Sequence, residues 1–260
     1  MRSKSTKLLE RRWAGSTFLA IPLAIVFIMS ISGLKTVAAG EENATEKLDA
    51  SLIALDSDAG RRLLDESRAK KSYVALSMHF TTQENLSYCG VASSCMVLNA
   101  TGIERPVSPV HSPYRLFTQT NLFSPAVCKV VAMEKVRKSG MTLDEIGAVL
   151  ACHPLKIEVV HASDTTLPEF RKQAIEVLDS NDRYIICNLL PRAIKEDSGG
   201  HFSPIAAYHE GEDRFLMLDV ARFKYPPVWV KAQRLFEAMT TIDHEVNKSR
   251  GYVIVGPKTP

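Results

Sequence analysis

Apolar residues change their spacing along the chain near residue 155, and this change limits the fold to few classes. Before that point apolar residues recur mainly at helical intervals. After it come short segments that alternate or run apolar, rich in β-branched and aromatic residues and separated by Gly, Asp and Asn. Helices followed by strands predict an α+β fold, in which a helical lobe packs on an antiparallel β-sheet lobe and the two lobes enclose a cleft.

Individual elements follow from the same spacing. Helices are predicted over residues 45–71, with an interruption at Gly60, and over residues 89–102, 114–122, 142–152, 167–180 and 230–241. Thr142 and Glu145 have the spacing of a capping box at the start of one of these helices. The segment YVALSMHF is predicted to be extended, and the predicted strands are KIEVVHA, RYIICNLL, HFSPIAAYHE, RFLMLDVA and GYVIVG.

Composition narrows the class of partner. The 260 residues are 45% hydrophobic, which is enough for a full core in one domain with an added segment. The net charge is only +3, and the basic residues are scattered outside the N-terminus. Binding to a nucleic acid is therefore not expected.

The N-terminus has the order of a secretory signal. Basic residues precede an apolar run from Phe18 to Met29, and the small residues TVAAG follow. Residues 1–39 are therefore predicted to be a signal peptide cleaved after Ala39, or alternatively an uncleaved membrane anchor, with the catalytic domain in residues 40–260. The protein is expected to be exported, periplasmic or secreted, with no membrane contact beyond such an anchor.

Five cysteines follow this segment, and an odd number leaves at least one thiol unpaired in an oxidising compartment. Their spacing does not match a zinc site, so no metal site is predicted. Cys95 is interpreted as a core residue of the helix that begins at Cys89. The sequence allows a disulfide between two of Cys128, Cys152 and Cys187 but does not assign the pair.

Cys89 has the position of a catalytic nucleophile. It lies at the start of a predicted helix, where unpaired N–H groups and the helix dipole lower a thiol pKa. Gln83, six residues earlier, has a side-chain amide that could bind an oxyanion together with the Cys89 N–H. Gly90 leaves room for a substrate carbonyl.

A base and a residue that orients it are needed as well. Among seven histidines, His201 follows two glycines at the start of a predicted strand, although the residues alone fit a structural histidine equally well. Asp219 follows the apolar run of the next strand, where a carboxylate requires a partner.

Three segments resemble the phytochelatin synthase family, in the short form found in bacteria: QENLSYCGVASSCMVLNA, GGHFSPIAAYH and, most specifically, LDVARFKYPPVWV. The resemblance covers about residues 45–260. It implies a papain-like cysteine protease fold and a catalytic triad of Cys89, His201 and Asp219, with Gln83 in the oxyanion hole.

The activity implied is that of a glutathione gamma-glutamylcysteinyltransferase or glutathione hydrolase. The cysteine attacks the Cys–Gly bond of glutathione, forms a thioester and releases glycine; water then gives γ-glutamylcysteine, or a second glutathione gives phytochelatin in a weaker reaction. No cofactor is required, and heavy-metal ions such as cadmium enter as metal thiolates of the substrate. The resemblance also allows a homodimer.

The resemblance further implies a pocket for the γ-glutamyl group. Asp243 and Arg250 match its charged partners, and Asn188, Gly200 and Phe202 match positions that line it. From the residues alone, Asp243 could equally be a helix-end residue and Arg250 a solvated charge.

Two other functions remain open. An exported papain-like cysteine peptidase would share the glutamine and cysteine pattern, and a non-catalytic thiol or metal-binding protein would use the scattered cysteines. The family's longer members carry a cysteine-rich C-terminal region linked to metal sensing and metal detoxification; the chain ends at Pro260, so strong metal activation is not expected.

Overall fold

A computed structural model describes residues 47–196 and 199–258 of the chain. The predicted signal or anchor, residues 1–39, lies outside the described residues. Within these two ranges, no helix has both the length and the apolar character needed to cross a bilayer. The described residues belong to one compact unit.

The helices lie mostly in the first part of the chain. They are α1 (Asp58–Glu66), α2 (Lys71–Ser77), α3 (Cys89–Ala100), α4 (Pro125–Val130), α5 (Met133–Ser139), α6 (Leu143–Ala151), α7 (Leu167–Leu178) and α8 (Ala232–Thr240). Two short 3-10 turns cover Ala162–Asp164 and Pro191–Ile194.

The strands form an antiparallel sheet and a small ribbon. They are β1 (Ile53–Ala54), β2 (Leu155–His161), β3 (Tyr184–Leu189), β4 (His201–His209), β5 (Arg214–Met217), β6 (Val228–Lys231), β7 (Ile242–Asp243), β8 (Lys248–Ser249) and β9 (Gly251–Pro257). The sheet order is β1-β6-β5-β4-β3-β9-β2, and β7 pairs with β8 as a separate two-stranded ribbon. Every residue of the central strands β3 and β4 is buried.

Each face of the sheet supports its own core. On one face lie α3 and the other helices of the helical lobe, and on the opposite face lie α7 and α8. All residues of α3 from Cys89 to Asn99 are buried. A helix that is buried on every side has other elements packed all around it, so α3 is the central element of the helical lobe.

The α+β prediction is confirmed. The helices predicted over 89–102, 142–152, 167–180 and 230–241 correspond to α3, α6, α7 and α8, and the predicted strands correspond to β2, β3, β4, β5 and β9. The capping box is also present: the Thr142 hydroxyl accepts a hydrogen bond from the Glu145 N–H at 3.2 Å, and Glu145 Oε2 accepts one from the Thr142 N–H at 2.8 Å.

Three local predictions are wrong. The helix predicted over 45–71 begins only at Asp58, because residues 53–54 pair with β6 and the Ser57 hydroxyl caps α1. Residues 73–77 belong to a helix rather than an extended segment, because α2 packs on β4 and buries Leu76. Residues 114–122 are not helical, because the Asn99 side chain binds both the N–H and the carbonyl of Phe117.

Candidate active site

The Cys89 thiol lies at the N-terminus of α3, where the first N–H groups of a helix have no partner inside it. The side chain is buried, and it is hydrogen-bonded to His201 and to the N–H groups of Phe202 and Gly90. Burial by itself raises the pKa of this thiol, but the hydrogen bond and charge of His201 and the two N–H groups outweigh burial and lower it. Cys89 is therefore set up to be a thiolate.

His201 is the first residue of β4, and it joins Cys89 to Asp219. Its Nε2–H donates to Asp219 Oδ1 at 2.8 Å, which leaves Nδ1 for the thiolate. Burial lowers the pKa of His201, but the Asp219 charge and hydrogen bond and the contact with Cys89 raise it well above the usual value. Both pKa shifts favour a thiolate on Cys89 and an imidazolium on His201, the state in which a cysteine nucleophile has a proton donor beside it.

Asp219 lies two residues beyond the end of β5 and is 1% exposed. Its Oδ1 accepts hydrogen bonds from both His201 and the Ala221 N–H, the latter at 2.7 Å. Burial raises the pKa of this carboxyl, but the His201 charge and these hydrogen bonds lower it below its usual value. The partner that the sequence analysis required for the Asp219 carboxylate is therefore the His201 imidazole.

Gln83 is buried beside this group. Its N–H donates to the Val220 carbonyl at 2.9 Å, and one N–H of its side-chain amide donates to the Asn85 carbonyl at 2.7 Å. The second N–H of that amide remains for another acceptor. Gln83 lines the same cavity as His201 and Asp219, where an oxyanion donor would be needed.

Two cavities meet at the Cys89–His201 pair. The first, called the His201 pocket, has a volume of about 250 Å³ and is lined by Gln83, Leu86, Pro191, Glu196, Gly199, Gly200, His201, Asp219, Ala221, Phe223, Lys224 and Tyr225. The second, called the Arg250 pocket, has a volume of about 240 Å³ and is lined by Leu86, Ser87, Cys89, residues 138–141, Asn188, Gly200, Phe202, Asp243, Glu245 and Arg250. A substrate that reaches Cys89 therefore has space on both sides of the reacting bond.

Arg250 is a buried charged group of its pocket. It is only 7% exposed, and its Nη1 donates to the Ile242 carbonyl at 2.6 Å and to Thr241 Oγ1 at 3.2 Å. Its Nε has no hydrogen-bond partner among the described residues. Burial lowers the pKa of Arg250, and the nearby Asp243 charge raises it by less. Because the guanidinium is poorly solvated, a bound anion in the pocket would stabilise its charge.

The other predicted pocket residues surround Arg250. A Cβ at Gly200 would come within 3.0 Å of Arg250 Nη2, so the absence of a side chain there lets the guanidinium reach the cavity. Asn188 is 2% exposed and its Oδ1 has no partner among the described residues. Phe202 pairs with Asn188 across the sheet, and its carbonyl accepts a hydrogen bond from Ser93 of α3.

The sequence did not point to several residues that line these cavities. Glu196, Lys224 and Tyr225 line the His201 pocket, and Glu245 lines the Arg250 pocket. Lys224 and Tyr225 lie five and six residues after Asp219 in the segment DVARFKYPP, so their closeness to Asp219 in the sequence could have indicated them. Glu245 has no such signal, because only the β7–β8 ribbon carries it to the pocket.

The cysteines other than Cys89 lie apart from the site. All five thiols are free, with Cys95 and Cys187 buried, Cys152 half-buried and Cys128 exposed. Burial raises the pKa of both Cys95 and Cys187, which makes them unreactive as nucleophiles. Within the described part of the chain, no group of three or more His, Cys, Asp or Glu side chains could hold a metal ion.

Comparison with known proteins decides the family. The model of the phytochelatin synthase family matches residues 43–252. The chain belongs to the phytochelatin synthase family. This confirms the resemblance seen in the sequence, and the helix-and-antiparallel-sheet architecture agrees with the papain-like fold of that family.

Phytochelatin synthase relatives from plants and yeast show the same likeness. The chain is 36% identical to glutathione gamma-glutamylcysteinyltransferase 1 of Lotus japonicus, over 71% of this chain and 36% of that protein. It is 34% identical to the enzyme of the same name from Arabidopsis thaliana, over 78% of this chain and 41% of the relative. It is 30% identical to glutathione gamma-glutamylcysteinyltransferase of Schizosaccharomyces pombe, over 81% of this chain and 50% of the relative. The chain thus spans at most half the length of these relatives.

Proposed function

We propose that this protein cleaves the Cys–Gly peptide bond of glutathione through a thioester on Cys89, and passes the γ-glutamylcysteinyl group to water or to a second glutathione. The observation that carries the proposal is Cys89 at a helix start beside His201, which binds Asp219, at the edge of a pocket that contains a buried, partly unpaired Arg250. The names of the relatives, which specify transfer of this group, support it.

Acylation begins with attack of the Cys89 Sγ on the carbonyl carbon of the Cys–Gly bond. The oxyanion that forms accepts hydrogen bonds from the Cys89 N–H and the free N–H of the Gln83 amide. His201 then gives its proton to the nitrogen of the leaving glycine, the C–N bond breaks, and a thioester remains.

Deacylation reverses the proton transfers. His201 takes a proton from water or from the amino group of a second glutathione, and that oxygen or nitrogen attacks the thioester carbon. The C–S bond breaks and the Cys89 thiolate is regenerated. Asp219 stays ionised throughout and stabilises the imidazolium, because it accepts the Nε2–H of His201 at 2.8 Å.

The Arg250 pocket explains a preference for a γ-linked glutamate. A γ-glutamyl group keeps both its α-amino group and its α-carboxylate free, whereas an α-linked glutamate uses that carboxylate in the peptide bond. Arg250 Nε and Nη2 would bind the carboxylate, and Asp243 and the Asn188 Oδ1 would bind the ammonium group. This pairing favours glutathione over the ordinary peptides that a papain-like peptidase accepts.

The His201 pocket lies on the side of the leaving group. It would hold glycine first and then water or the second glutathione, so the ratio of hydrolysis to transfer depends on how well an acceptor excludes water there. Heavy-metal ions such as cadmium enter this scheme as thiolate complexes of the acceptor, and the protein needs no cofactor of its own.

The N-terminal segment leads to a proposal on location. Its order of basic, apolar and small residues supports export to the periplasm or beyond, where the enzyme would degrade exported glutathione. Fractionation of cells that produce the full chain tests this, and recovery only in the cytosolic fraction would contradict it.

Isomeric substrates test the reaction. The protein should release glycine from glutathione, form a γ-glutamylcysteinyl adduct on Cys89 detectable by intact-mass spectrometry, and reject the isomer with an α-linked glutamate. Cys89→Ser should lose both the release and the adduct, while Cys128→Ser, a change at an exposed cysteine, should keep them.

No glycine release by the wild type would refute the proposal, and equal use of the α-linked isomer would favour the peptidase. Cadmium binding that survives Cys89→Ser, together with no adduct on the wild type, would favour the thiol or metal-binding protein.

A further inference from the structure

The Lys135 ammonium group connects the two walls of the Arg250 pocket. One wall is residues 138–141, which form the end of α5 and the turn after it in the helical lobe, and the other includes Asp243 and Glu245 of the β7–β8 ribbon. Lys135 Nζ lies 3.3 Å from the Gly140 carbonyl on the first wall and 2.9 Å from Glu245 Oε1 on the second. One side chain thus joins the loop and the ribbon across the pocket rim.

A third acceptor completes the coordination of this ammonium group. Lys135 Nζ lies 2.6 Å from Glu145 Oε2, and that carboxylate is fixed by the capping box of α6. A lysine ammonium has three N–H donors, and Gly140, Glu145 and Glu245 supply one acceptor for each. The geometry therefore holds Lys135 against a rigid helix start while it binds the ribbon.

The β8 strand of the ribbon is anchored by Lys248 Nζ, which lies 2.7 Å from Asp144 Oδ2, and by the Ser249 carbonyl, which lies 2.6 Å from His161 Nδ1. The turn that carries Glu245 has fewer contacts, and Lys135 supplies one of them.

The ribbon has one pair of two-residue strands, and its turn is closed by the N–H groups of Val246 and Asn247, which donate to the Asp243 carbonyl at 3.3 and 2.8 Å. The Asp243 side chain accepts from the Glu245 N–H at 3.1 Å. A two-stranded hairpin is marginally stable by itself, so the position of Asp243 depends on what anchors the ribbon.

We propose that Lys135 is a positioning residue for substrate binding, which holds the β7–β8 ribbon, and with it Asp243, against the γ-glutamyl group in the Arg250 pocket. Lys135 does not line the pocket itself and acts through Glu245. The proposal rests on the proposed function in one respect, the identity of the bound group.

Steady-state kinetics of glycine release from glutathione test it. Lys135→Met should raise KM about fivefold, equivalent to about 1 kcal/mol, and leave kcat within about twofold, because the change weakens binding and spares the Cys89–His201 pair. The matched control is Arg137→Met on the same helix, which removes the pair with Glu134 at 2.9 Å and leaves the ribbon alone. Arg137→Met should keep KM at the wild-type value.

Exchanging the charges of Lys135 and Glu245 distinguishes a specific contact between these two residues from a general loss of stability in Lys135 variants. Lys135→Glu should raise KM more than Lys135→Met, since three carboxylates then meet. The double change Lys135→Glu with Glu245→Lys should lower KM below that of Lys135→Glu, because only the repulsion from Glu145 then remains. Unchanged KM in Lys135→Met, an equal rise in Arg137→Met, or no recovery in the exchanged pair would each overturn the proposal.

Hydrogen exchange of the ribbon tests the tether without any substrate. The amides of Glu245, Val246 and Asn247 should exchange several-fold faster in Lys135→Met than in wild type or Arg137→Met. If wild-type protein releases no glycine, the proposed function fails, and this measurement alone decides on the tether: unchanged exchange would overturn it.

Discussion

Replacing Asp219 by asparagine removes one charge from the site while its hydrogen bonds stay in place. Both the His201 Nε2–H and the Ala221 N–H donate to the same atom, Asp219 Oδ1, at 2.8 and 2.7 Å. An asparagine carbonyl oxygen in that position accepts both bonds. The variant therefore isolates the effect of the negative charge on the Cys89–His201 pair.

The magnitude follows from the strength of the bond to the imidazolium. A hydrogen bond to a charged group contributes about 1.5–3 kcal/mol and a neutral one about half as much, so the loss is about 1–1.5 kcal/mol. Since 1.36 kcal/mol corresponds to one pKa unit, the pKa of His201 should fall by about one unit. The pKa of Cys89 should change little, because the Phe202 and Gly90 N–H groups and the imidazolium still stabilise the thiolate.

The pH profile of kcat/KM for glycine release measures this difference. The acid limb reports formation of the Cys89 thiolate, and the alkaline limb reports loss of the His201 proton needed by the leaving glycine. Asp219→Asn should move the alkaline limb down by about one pH unit and leave the acid limb within a few tenths. The pH dependence of Cys89 alkylation gives the acid limb independently of any substrate. An unmoved alkaline limb, or a shift confined to the acid limb, would refute the reasoning.

Three further predictions concern Arg250, the carboxylate of Asp219 and the start of α7. Gly200→Ala should raise KM for glutathione several-fold, because the added Cβ would crowd Arg250 Nη2 at 3.0 Å. Gly199→Ala is the control, since nothing lies within 4 Å of its Cβ, and it should leave KM unchanged. Equal effects of the two changes in kinetic assays would contradict this prediction. The pKa of Asp219 lies below its usual 3.8, so its stabilisation is present above that pH and is lost as the pH falls through the lowered value. Acid unfolding should show a smaller dependence on pH in Asp219→Asn, and identical curves would exclude this contribution. Thr166→Ala removes the hydroxyl that caps α7. Urea titrations should show a free energy of unfolding lower by about 1 kcal/mol, with activity unchanged. An unchanged midpoint of the unfolding transition would contradict a stabilising role for this cap.

The helices that the sequence predicted correctly are those with local signals. The helix α6 begins at the Thr142–Glu145 capping box, and α3 combines apolar residues at helical spacing with a start at Cys89. Both signals lie within a few residues of the element, and neighbouring residues alone can satisfy them. The segment 114–122 had a helical pattern as well, but Asn99, from another part of the chain, binds the Phe117 backbone and holds it in a different conformation.

The candidate site divides in the same way. Local context in the sequence suggested Cys89 at a helix start, His201 after a glycine pair and Asp219 after an apolar strand. The resemblance to the family was needed to assign His201, Asp219 and Gln83 their roles. Their distances, the two pockets and the free Nε of Arg250 depend on how the lobes pack.

Sequence alone therefore determined the α+β class and the nucleophile helix, because spacing and residue chemistry are local properties, and the family resemblance of three segments supplied the candidate triad. Only the tertiary structure decided that Glu245 lines the Arg250 pocket and that Lys135 reaches it across the rim at 2.9 Å. The physical reason is that the two residues lie in different lobes, and a charge on one surface helix predicts no particular partner until the chain folds the ribbon against it.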